Sequence, residues 1–158
     1  MKVTHTLAPI YDNNSKILIL GSMPSIKSRE LNFYYANTTN RFWKIFEILF
    51  NTKLTTNEEK ITLLHKNHIA LFDVFKSVDI NKSSDNSIKN YTLNDLSPIT
   101  NNNKIKAIFI TGKKAYETFI KNNSLDIKVF YLPSPSGANA KLSLNDLVNY
   151  YKIILEFL

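Results

Sequence analysis

The sequence contains no cysteine, only three glycines and five prolines. Nor does it contain an apolar run near the roughly 20 residues of a membrane-spanning helix. The absence of cysteine excludes disulfides, thiolate nucleophiles, cysteine-ligated zinc and iron–sulfur clusters. The histidines, His5, His65 and His68, lack the spacing of metal ligands, and we interpret them as incidental. Because the first residues lack the apolar segment of a signal peptide, we expect a cytoplasmic protein that does not bind membranes.

The composition is typical of one globular domain, which we expect to span residues 1–158. Hydrophobic residues make up 44% of the chain and charged residues 21%. The net charge of +7 favours a polyanionic partner. However, only two of the twenty basic residues are arginine and asparagine is abundant, so a general bias toward lysine and asparagine explains the charge equally well. The charge alone leaves nucleic-acid binding open.

Hydrophobic patterning predicts buried strands that alternate with helices. Apolar runs rich in β-branched residues predict four strands, at residues 16–20, 68–72, 107–111 and 128–132. Helical spacing predicts helices at 40–50, 57–66, 113–121 and 144–158, and a weaker helix, interrupted by Pro98, at 93–103. This alternation is typical of an α/β fold with a mostly parallel sheet covered on both faces. The polar segment 76–90 has no apolar period, and we expect it to be a long surface loop.

Two loops after predicted strands concentrate the residues that stiffen a backbone or let it approach a ligand closely. The first loop, residues 21–25, reads Gly-Ser-Met-Pro-Ser, and the late loop, residues 132–140, reads Leu-Pro-Ser-Pro-Ser-Gly-Ala-Asn-Ala. Together they hold three of the five prolines and two of the three glycines. Loops at the carboxyl ends of strands are where open α/β sheets bind ligands. Small hydroxyl side chains and backbone N–H groups also suit contacts with phosphate.

An aromatic segment, residues 34–43, follows the first loop and carries the single tryptophan. Tyr35 and Phe42 are either stacking surfaces for a planar ligand or ordinary core aromatics, and Trp43 is expected in the core. Asn40 directly precedes a predicted helix, so one interpretation is that it caps that helix. The other is that its carboxamide serves a ligand site formed with the first loop.

These motifs, in this order, resemble those of the uracil-DNA glycosylase superfamily, and most of all its hypoxanthine-DNA (deoxyinosine) glycosylase branch. That branch typically has Gly-Ser-aromatic/Met-Pro-Ser, then Tyr-Tyr-Ala and Asn-x-Phe-Trp, which are here residues 21–25, 34–36 and 40–43. Residues 70–74, 84–88 and 132–140 resemble its middle motif, the loop after it and its late motif. The resemblance implies a three-layer αβα sandwich around a four-stranded parallel sheet.

The resemblance also implies an activity. A monofunctional glycosylase would flip a deaminated base, chiefly hypoxanthine, out of double-stranded DNA and hydrolyse its N-glycosidic bond, with no metal or other cofactor. Such a reaction passes through a cationic sugar while negative charge grows on the departing base, and backbone N–H groups after a strand end are preorganised donors for that charge. We expect the enzyme to act as a monomer.

Individual residues take roles from the same resemblance. Asn40 matches the asparagine thought to compensate, in this branch, for the Asp or Asn that other branches carry at the position of Ser22. We therefore expect Asn40 to be catalytic by placing water or hydrogen-bonding the base, a role compatible with helix capping. The expected base-binding residues are Gly21, Ser22, Met23, Pro24, Ser25, Tyr35, Phe42 and Asp73. The expected DNA-binding residues are Ser134, Pro135, Ser136, Gly137 and Asn139. Asp73 and Asn139 have structural alternatives, as a strand-end cap and a local turn former.

Departures from the family pattern keep alternatives open. Many relatives have a His-Pro-Arg-like segment where this chain has Asn37-Thr38-Thr39, and Leu132 stands where classical uracil glycosylases have histidine. One alternative is a mismatch-specific uracil/thymine-DNA glycosylase, which shares the string 40–43 but normally has asparagine at the position of Ser22. Another is a non-catalytic nucleic-acid-binding domain on the same scaffold. A nucleotide-binding enzyme is disfavoured, because the first loop lacks the glycine spacing and lysine of a P-loop.

Overall fold

The structure, a computed structural model, describes residues 1–80 and 88–158. Its strands are β1 (Lys2–Thr4), β2 (Ile17–Gly21), β3 (Ile69–Asp73), β4 (Phe75–Ile80), β5 (Ile88–Leu93), β6 (Ala107–Thr111) and β7 (Lys128–Leu132). Its helices are α1 (Ile26–Leu31), α2 (Phe42–Leu49), α3 (Asn57–Lys66), α4 (Ser97–Thr100), α5 (Lys113–Asn122) and α6 (Leu144–Tyr151). A 3₁₀ helix, Lys152–Phe157, follows α6.

The centre of the molecule is a parallel sheet of four strands in the order β3-β2-β6-β7. Every residue of β2, β3 and β6 is buried, as expected of apolar strands covered by helices on both faces. The edge strand β7 is partly exposed. The predicted α/β fold and its four parallel strands are thus confirmed, with strand ends that differ by at most one residue.

A second sheet corrects the expectation for residues 76–90. Strands β4 and β5 pair antiparallel there, and β1 pairs with the other edge of β4. The segment is therefore not one long surface loop, although residues 81–87, and with them most of the 84–88 motif, lie outside the described part of the chain. Phe75 and Val78 are fully buried, while the Ser77 hydroxyl hydrogen-bonds that of Thr92 at 2.6 Å. Between residues 76 and 90 the large apolar residues are Val78, Ile80 and Ile88, which are too few to give the sequence a visible period.

Helices α1, α3 and α6 begin at N-cap residues whose side chains accept a hydrogen bond from the helix. Helices α3 and α6 start at capping boxes formed by Thr56 with Glu59 and by Ser143 with Asp146. The predicted helix 93–103 is only the short α4, because Pro98 begins a helix there instead of interrupting one. Helix α1 was not predicted from the sequence. The predicted helix 144–158 continues after Tyr151 as the 3₁₀ helix.

Candidate functional site

The first loop, the aromatic segment and the late loop meet at the carboxyl edge of the parallel sheet. Parallel pairing places Gly21, the last residue of β2, beside Asp73, the last residue of β3. The backbone N–H of Arg41 donates to the carbonyl of Pro135 at 2.9 Å, which joins the aromatic segment to the late loop. The structure therefore brings together the segments that the sequence singled out.

Gly21 is the point where the aromatic segment touches the sheet. A Cβ atom on Gly21 would lie 2.5 Å from Oδ1 of Asp73 and 2.7 Å from the Tyr35 hydroxyl oxygen, so only glycine fits without a shift. Tyr35 itself has φ of 53°, in the left-handed region that non-glycine residues seldom adopt. Its hydroxyl is buried and has no hydrogen bond of ordinary geometry with the described residues. Strained and unsatisfied groups of this kind cluster at functional sites.

The two aromatic rings predicted to hold a base have different exposures. Tyr35 stacks on Phe42 with ring centroids 3.9 Å apart and 12° between the planes. Phe42 is fully buried, and Phe46 stacks on it at 4.5 Å. Phe42 therefore supports Tyr35 from within the core, while Tyr35 is half-buried. Trp43 is a core residue, as expected, and its indole N–H donates to the carbonyl of Tyr34 at 2.9 Å.

Asn40 lies in the turn that leads into α2. Its backbone N–H donates to the carbonyl of Asn37, and its side-chain Oδ1 accepts a hydrogen bond from the N–H of Phe42, both at 2.9 Å. The second bond satisfies one of the free N–H groups at the start of a helix. The Asn40 amide nitrogen makes no hydrogen bond with the part of the chain that the structure describes, and the residue is half-buried. Capping thus uses the oxygen of the Asn40 carboxamide and leaves its nitrogen for a ligand.

Arg41 fastens the late loop to the aromatic segment, a role that sequence reasoning missed. Its guanidinium donates to the carbonyls of Ser136 at 2.9 Å, Asn139 at 2.8 Å and Leu142. On the same side, a Cβ on Gly137 would lie 2.8 Å from the carbonyl oxygen of Thr39. The available signal was that Arg41 is one of only two arginines in a lysine-rich chain. Arginine is the side chain that bonds several oxygens in a fixed geometry.

The late loop is also held by its own polar groups. The Ser134 hydroxyl accepts from the N–H of Ser136 at 3.2 Å, and the Asn139 amide donates to the carbonyl of Ser134 at 3.0 Å. The fully buried Tyr151 donates its hydroxyl to the carbonyl of Pro133 at 2.7 Å. Asn139 thus bridges the loop in addition to any contact with DNA. The loop is preformed, with Ser134 half-buried and Gly137 exposed.

The first loop mixes structural and exposed residues. Ser25 is the N-cap of α1, since its hydroxyl accepts from the N–H of Ser28 at 3.1 Å. The Ser28 hydroxyl in turn accepts from the N–H of Ala36, also at 3.1 Å, which ties α1 to the aromatic segment. Pro24 is buried, whereas Ser22 and Met23 are half-buried. Of the predicted base-binding residues in this loop, Ser25 therefore has a clear structural task as well.

A buried histidine–carboxylate pair lies beneath the first loop. Nε2 of His5 and Oδ2 of Asp73 are 2.8 Å apart, and the two side chains are only 3% and 5% exposed. Asp73 is the one buried carboxylate in the described residues. On balance the pKa of Asp73 is raised, because the effect of burial exceeds the opposing effects of the hydrogen bond and charge of His5 and of the nearby N–H of Gly21. His5 is therefore not incidental, and no signal in the sequence connects it to a residue so far along the chain.

The same carboxylate affects the two tyrosines of the aromatic segment. Burial, and then the negative charge of Asp73, raise the pKa values of Tyr34 and Tyr35 far above the ordinary value for tyrosine. Both phenols are consequently neutral at physiological pH. They can donate a hydrogen bond but cannot act as bases.

Two open recesses lie outside the three loops. One, of about 390 Å³, is lined by Asn14, Lys16, His68, Asn103, Lys104 and Lys106, at the amino end of the parallel strands. The other, of about 240 Å³, lies between residues 93–101 and the end of α5. Neither contains a predicted site residue, so the candidate site is the carboxyl edge where the loops meet.

A sequence model of the uracil DNA glycosylase superfamily matches residues 8–157. The chain belongs to this superfamily. The "Hypoxanthine DNA glycosylase" of Methanosarcina acetivorans is 38% identical over 141 residues, which cover 86% of this chain and 88% of that protein. The "Hypoxanthine DNA glycosylase" of Methanosarcina barkeri is 31% identical over 138 residues, or 84% of this chain and 86% of that protein.

A solved structure agrees with this membership in the superfamily. The solution NMR structure of a candidate uracil DNA glycosylase from Methanosarcina acetivorans superposes with a TM-score of 0.79 at 31% identity. The match covers 98% of this chain and 99% of that one. The resemblance stated from the motifs is thus confirmed at the level of family and fold. Among the described residues, no helix is long and apolar enough to cross a membrane.

Proposed function

We propose that this superfamily member is a DNA glycosylase that removes hypoxanthine from deoxyinosine in double-stranded DNA. The observation that carries the proposal is the position of Asn40, directly before the Arg41 N–H that bonds the late loop, in a chain whose relatives of 38% and 31% identity are named for hypoxanthine. In the reaction, the bond between the sugar C1′ and the base nitrogen breaks and its electrons leave with the base. Water then adds to C1′ and the proton it loses neutralises the departing base, which leaves an abasic site and free hypoxanthine.

Each loop has a part in this proposal. The face of the Tyr35 ring opposite Phe42 stacks on the flipped base, and Phe42 supports the ring from the other side with centroids 3.9 Å apart. The backbone of the first loop offers N–H donors to the charge that grows on the base. The hydroxyls of Ser134 and Ser136 donate to phosphates beside the flipped nucleotide, because their bonds within the loop use them as acceptors.

Asn40 is the catalytic residue of the proposal. Its Oδ1 is fixed by the N–H of Phe42, so the direction of the amide nitrogen is fixed too. That nitrogen is a donor for the acceptor edge of a purine, and donation strengthens as the leaving base becomes negative. The second lone pair of Oδ1 remains for the attacking water. Since all these groups come from one chain, we expect a monomer to suffice, acting on cytoplasmic DNA.

The test is a single-turnover assay on duplexes that contain deoxyinosine, uracil, xanthine or mismatched thymine, with alkaline strand cleavage as the readout. We expect deoxyinosine to be processed fastest. Strong preference for uracil would support the mismatch-specific alternative instead. If none of the four bases is released, the enzymatic proposal is wrong and only the binding-domain alternative survives.

Two substitutions of Asn40 separate its two roles. Asn40→Asp keeps an oxygen for the N–H of Phe42 but removes the amide donor, whereas Asn40→Ala removes both. We expect each to slow excision by about 10²-fold or more, the usual effect of losing one transition-state donor. Only Asn40→Ala should lower stability, by about 1 kcal/mol, because it removes the cap. Asn14→Ala, an exposed asparagine at the opposite edge of the sheet, is the matched control and should leave both quantities unchanged.

A further inference from the structure

The N-terminal strand delivers a histidine to the floor of the candidate site. Strand β1 pairs with β4, and directly after it the backbone N–H of His5 donates to the carbonyl of Lys76 at 2.7 Å. This pairing sets the imidazole among Tyr34, Phe72 and Asp73, with ring centroids 6.3 Å from Tyr34 and 5.1 Å from Phe72. The side chain is only 3% exposed, so the residues packed around it fix its position.

The partner of this histidine is held from several sides. Oδ2 of Asp73 lies 2.8 Å from Nε2 of His5, and Oδ1 faces the Cα of Gly21. The N–H of Gly21 also lies close enough to the carboxylate to lower its pKa. The main-chain carbonyl of Asp73 accepts from the side-chain amide of Asn94 at 2.9 Å. The carboxylate is therefore fixed against the residue with which the first loop begins.

Burial makes the charge of Asp73 depend on its neighbours. A carboxylate removed from water takes up a proton unless a positive or hydrogen-bonding group holds it ionised. The titratable groups that face Asp73 are His5, Tyr34 and Tyr35, and both tyrosines are neutral phenols at physiological pH. Of these three groups, His5 is therefore the one that favours the ionised form of Asp73.

We propose that His5 is a positioning residue for base excision, which keeps Asp73 ionised and fixed beneath the first loop. This inference rests on the proposed glycosylase function. A fixed negative charge in a poorly hydrated position stabilises a positive charge that forms nearby, and the sugar becomes cationic as the glycosidic bond breaks. The carboxylate also packs against Gly21, the residue with which the loop that receives the base begins. His5 touches neither the base nor the sugar.

The test compares the pH dependence of single-turnover excision in the wild-type protein, His5→Leu and His5→Gln. Leucine fills the site without a donor, whereas glutamine can place an N–H near the position of Nε2. For His5→Leu, we expect the pH below which the rate falls to rise by about one to three units, with the rate recovered at higher pH. At a fixed pH below both limits, the excision rate of His5→Leu should therefore be about tenfold lower than that of the wild-type protein for each pH unit of this shift. His5→Gln should recover part of the shift.

A purely structural role predicts a different result. If His5→Leu is folded and slows excision equally at all pH values, or leaves the profile of the wild type unchanged, the proposal is wrong. Titration of the Asp73 carboxyl carbon by NMR, in the wild-type protein and in His5→Leu, tests the pair without DNA. An equal Asp73 pKa in both proteins would overturn the inference even where the enzyme is active. A wild-type protein that excises no base, with a raised Asp73 pKa in His5→Leu, would instead refute the glycosylase proposal and retain only the histidine–carboxylate pair.

Discussion

Replacing Arg41 with lysine should loosen the late loop while the charge at this position is kept. The arginine donates to the carbonyls of Ser136 and Asn139 in the late loop and of Leu142 just after it. A lysine ammonium is a point donor on a flexible stem and lacks the fork that reaches several oxygens at once. We therefore expect Arg41→Lys to satisfy one of the three carbonyls and to leave two without this partner.

The size of the effect follows from those two lost bonds. A hydrogen bond from a charged donor contributes about 1.5–3 kcal/mol when it is well buried. The three acceptor residues are half-buried, so water replaces part of each lost bond. At about 1 kcal/mol for each carbonyl, the free energy of unfolding should fall by about 2 kcal/mol. For a chain of this size, that corresponds to a Tm lower by about 4–8 °C.

The assay is urea and thermal unfolding, with Arg29→Lys as the matched control. Arg29 is the other arginine, and its single bond, from Nε to the carbonyl of Ser25, is 3.5 Å long and exposed. We expect the control to stay within about 0.5 kcal/mol of the wild-type protein. Hydrogen exchange should speed up across residues 134–142 in Arg41→Lys only. Equal stabilities for the two variants would refute the argument that the guanidinium holds the loop.

Two further substitutions test the packing around the site. Gly21→Ala should cost about 1–3 kcal/mol in urea unfolding, because its Cβ would lie 2.5 Å from Asp73 and 2.7 Å from Tyr35. Adding Tyr35→Phe removes the clash with the hydroxyl and should restore part of the lost stability. Strictly additive effects of the two substitutions would show that the added Cβ does not meet the Tyr35 side chain. Tyr151→Phe should cost about 1–2 kcal/mol, since the carbonyl of Pro133 loses a buried donor at 2.7 Å. Thermal unfolding measures that loss, and an unchanged Tm would speak against the bond.

The parallel sheet could be predicted because its strands carry a strong and simple signal. An apolar run such as residues 107–111 is buried on both faces, so its composition alone identifies it. Strand β4 shows the opposite case. It has two register shifts against β5 and few apolar residues, and its pairing with β1 depends on a partner more than 70 residues away in the sequence. Non-local pairing of this kind leaves no local pattern to read.

The candidate site likewise contains residues that the sequence indicates and residues that only the fold reveals. Gly21, Tyr35 and Asn40 lie in local motifs, and the sequence therefore indicated them. The contacts of His5 and Arg41 are invisible from sequence, because each joins residues that only the fold brings together: His5 to Asp73, and Arg41 to carbonyls of the late loop. Sequence reasoning also placed Phe42 against the base, whereas the structure buries it behind Tyr35. Whether these residues act on DNA as expected stays a prediction.

The two interpretations of Asn40 do not compete once the geometry is considered. A free carboxamide rotates, and holding it in one orientation for a reaction costs conformational entropy. The hydrogen bond from the N–H of Phe42 to Oδ1 fixes that rotation in the resting protein, while the N–H of Arg41 anchors the adjoining backbone to Pro135. The capping bond therefore preorganises the amide nitrogen that we propose faces the base, in the manner of residues that support a catalytic group. In this proposal the cap is the reason that a weakly basic side chain suffices, because its contribution is a fixed dipole and not a proton transfer.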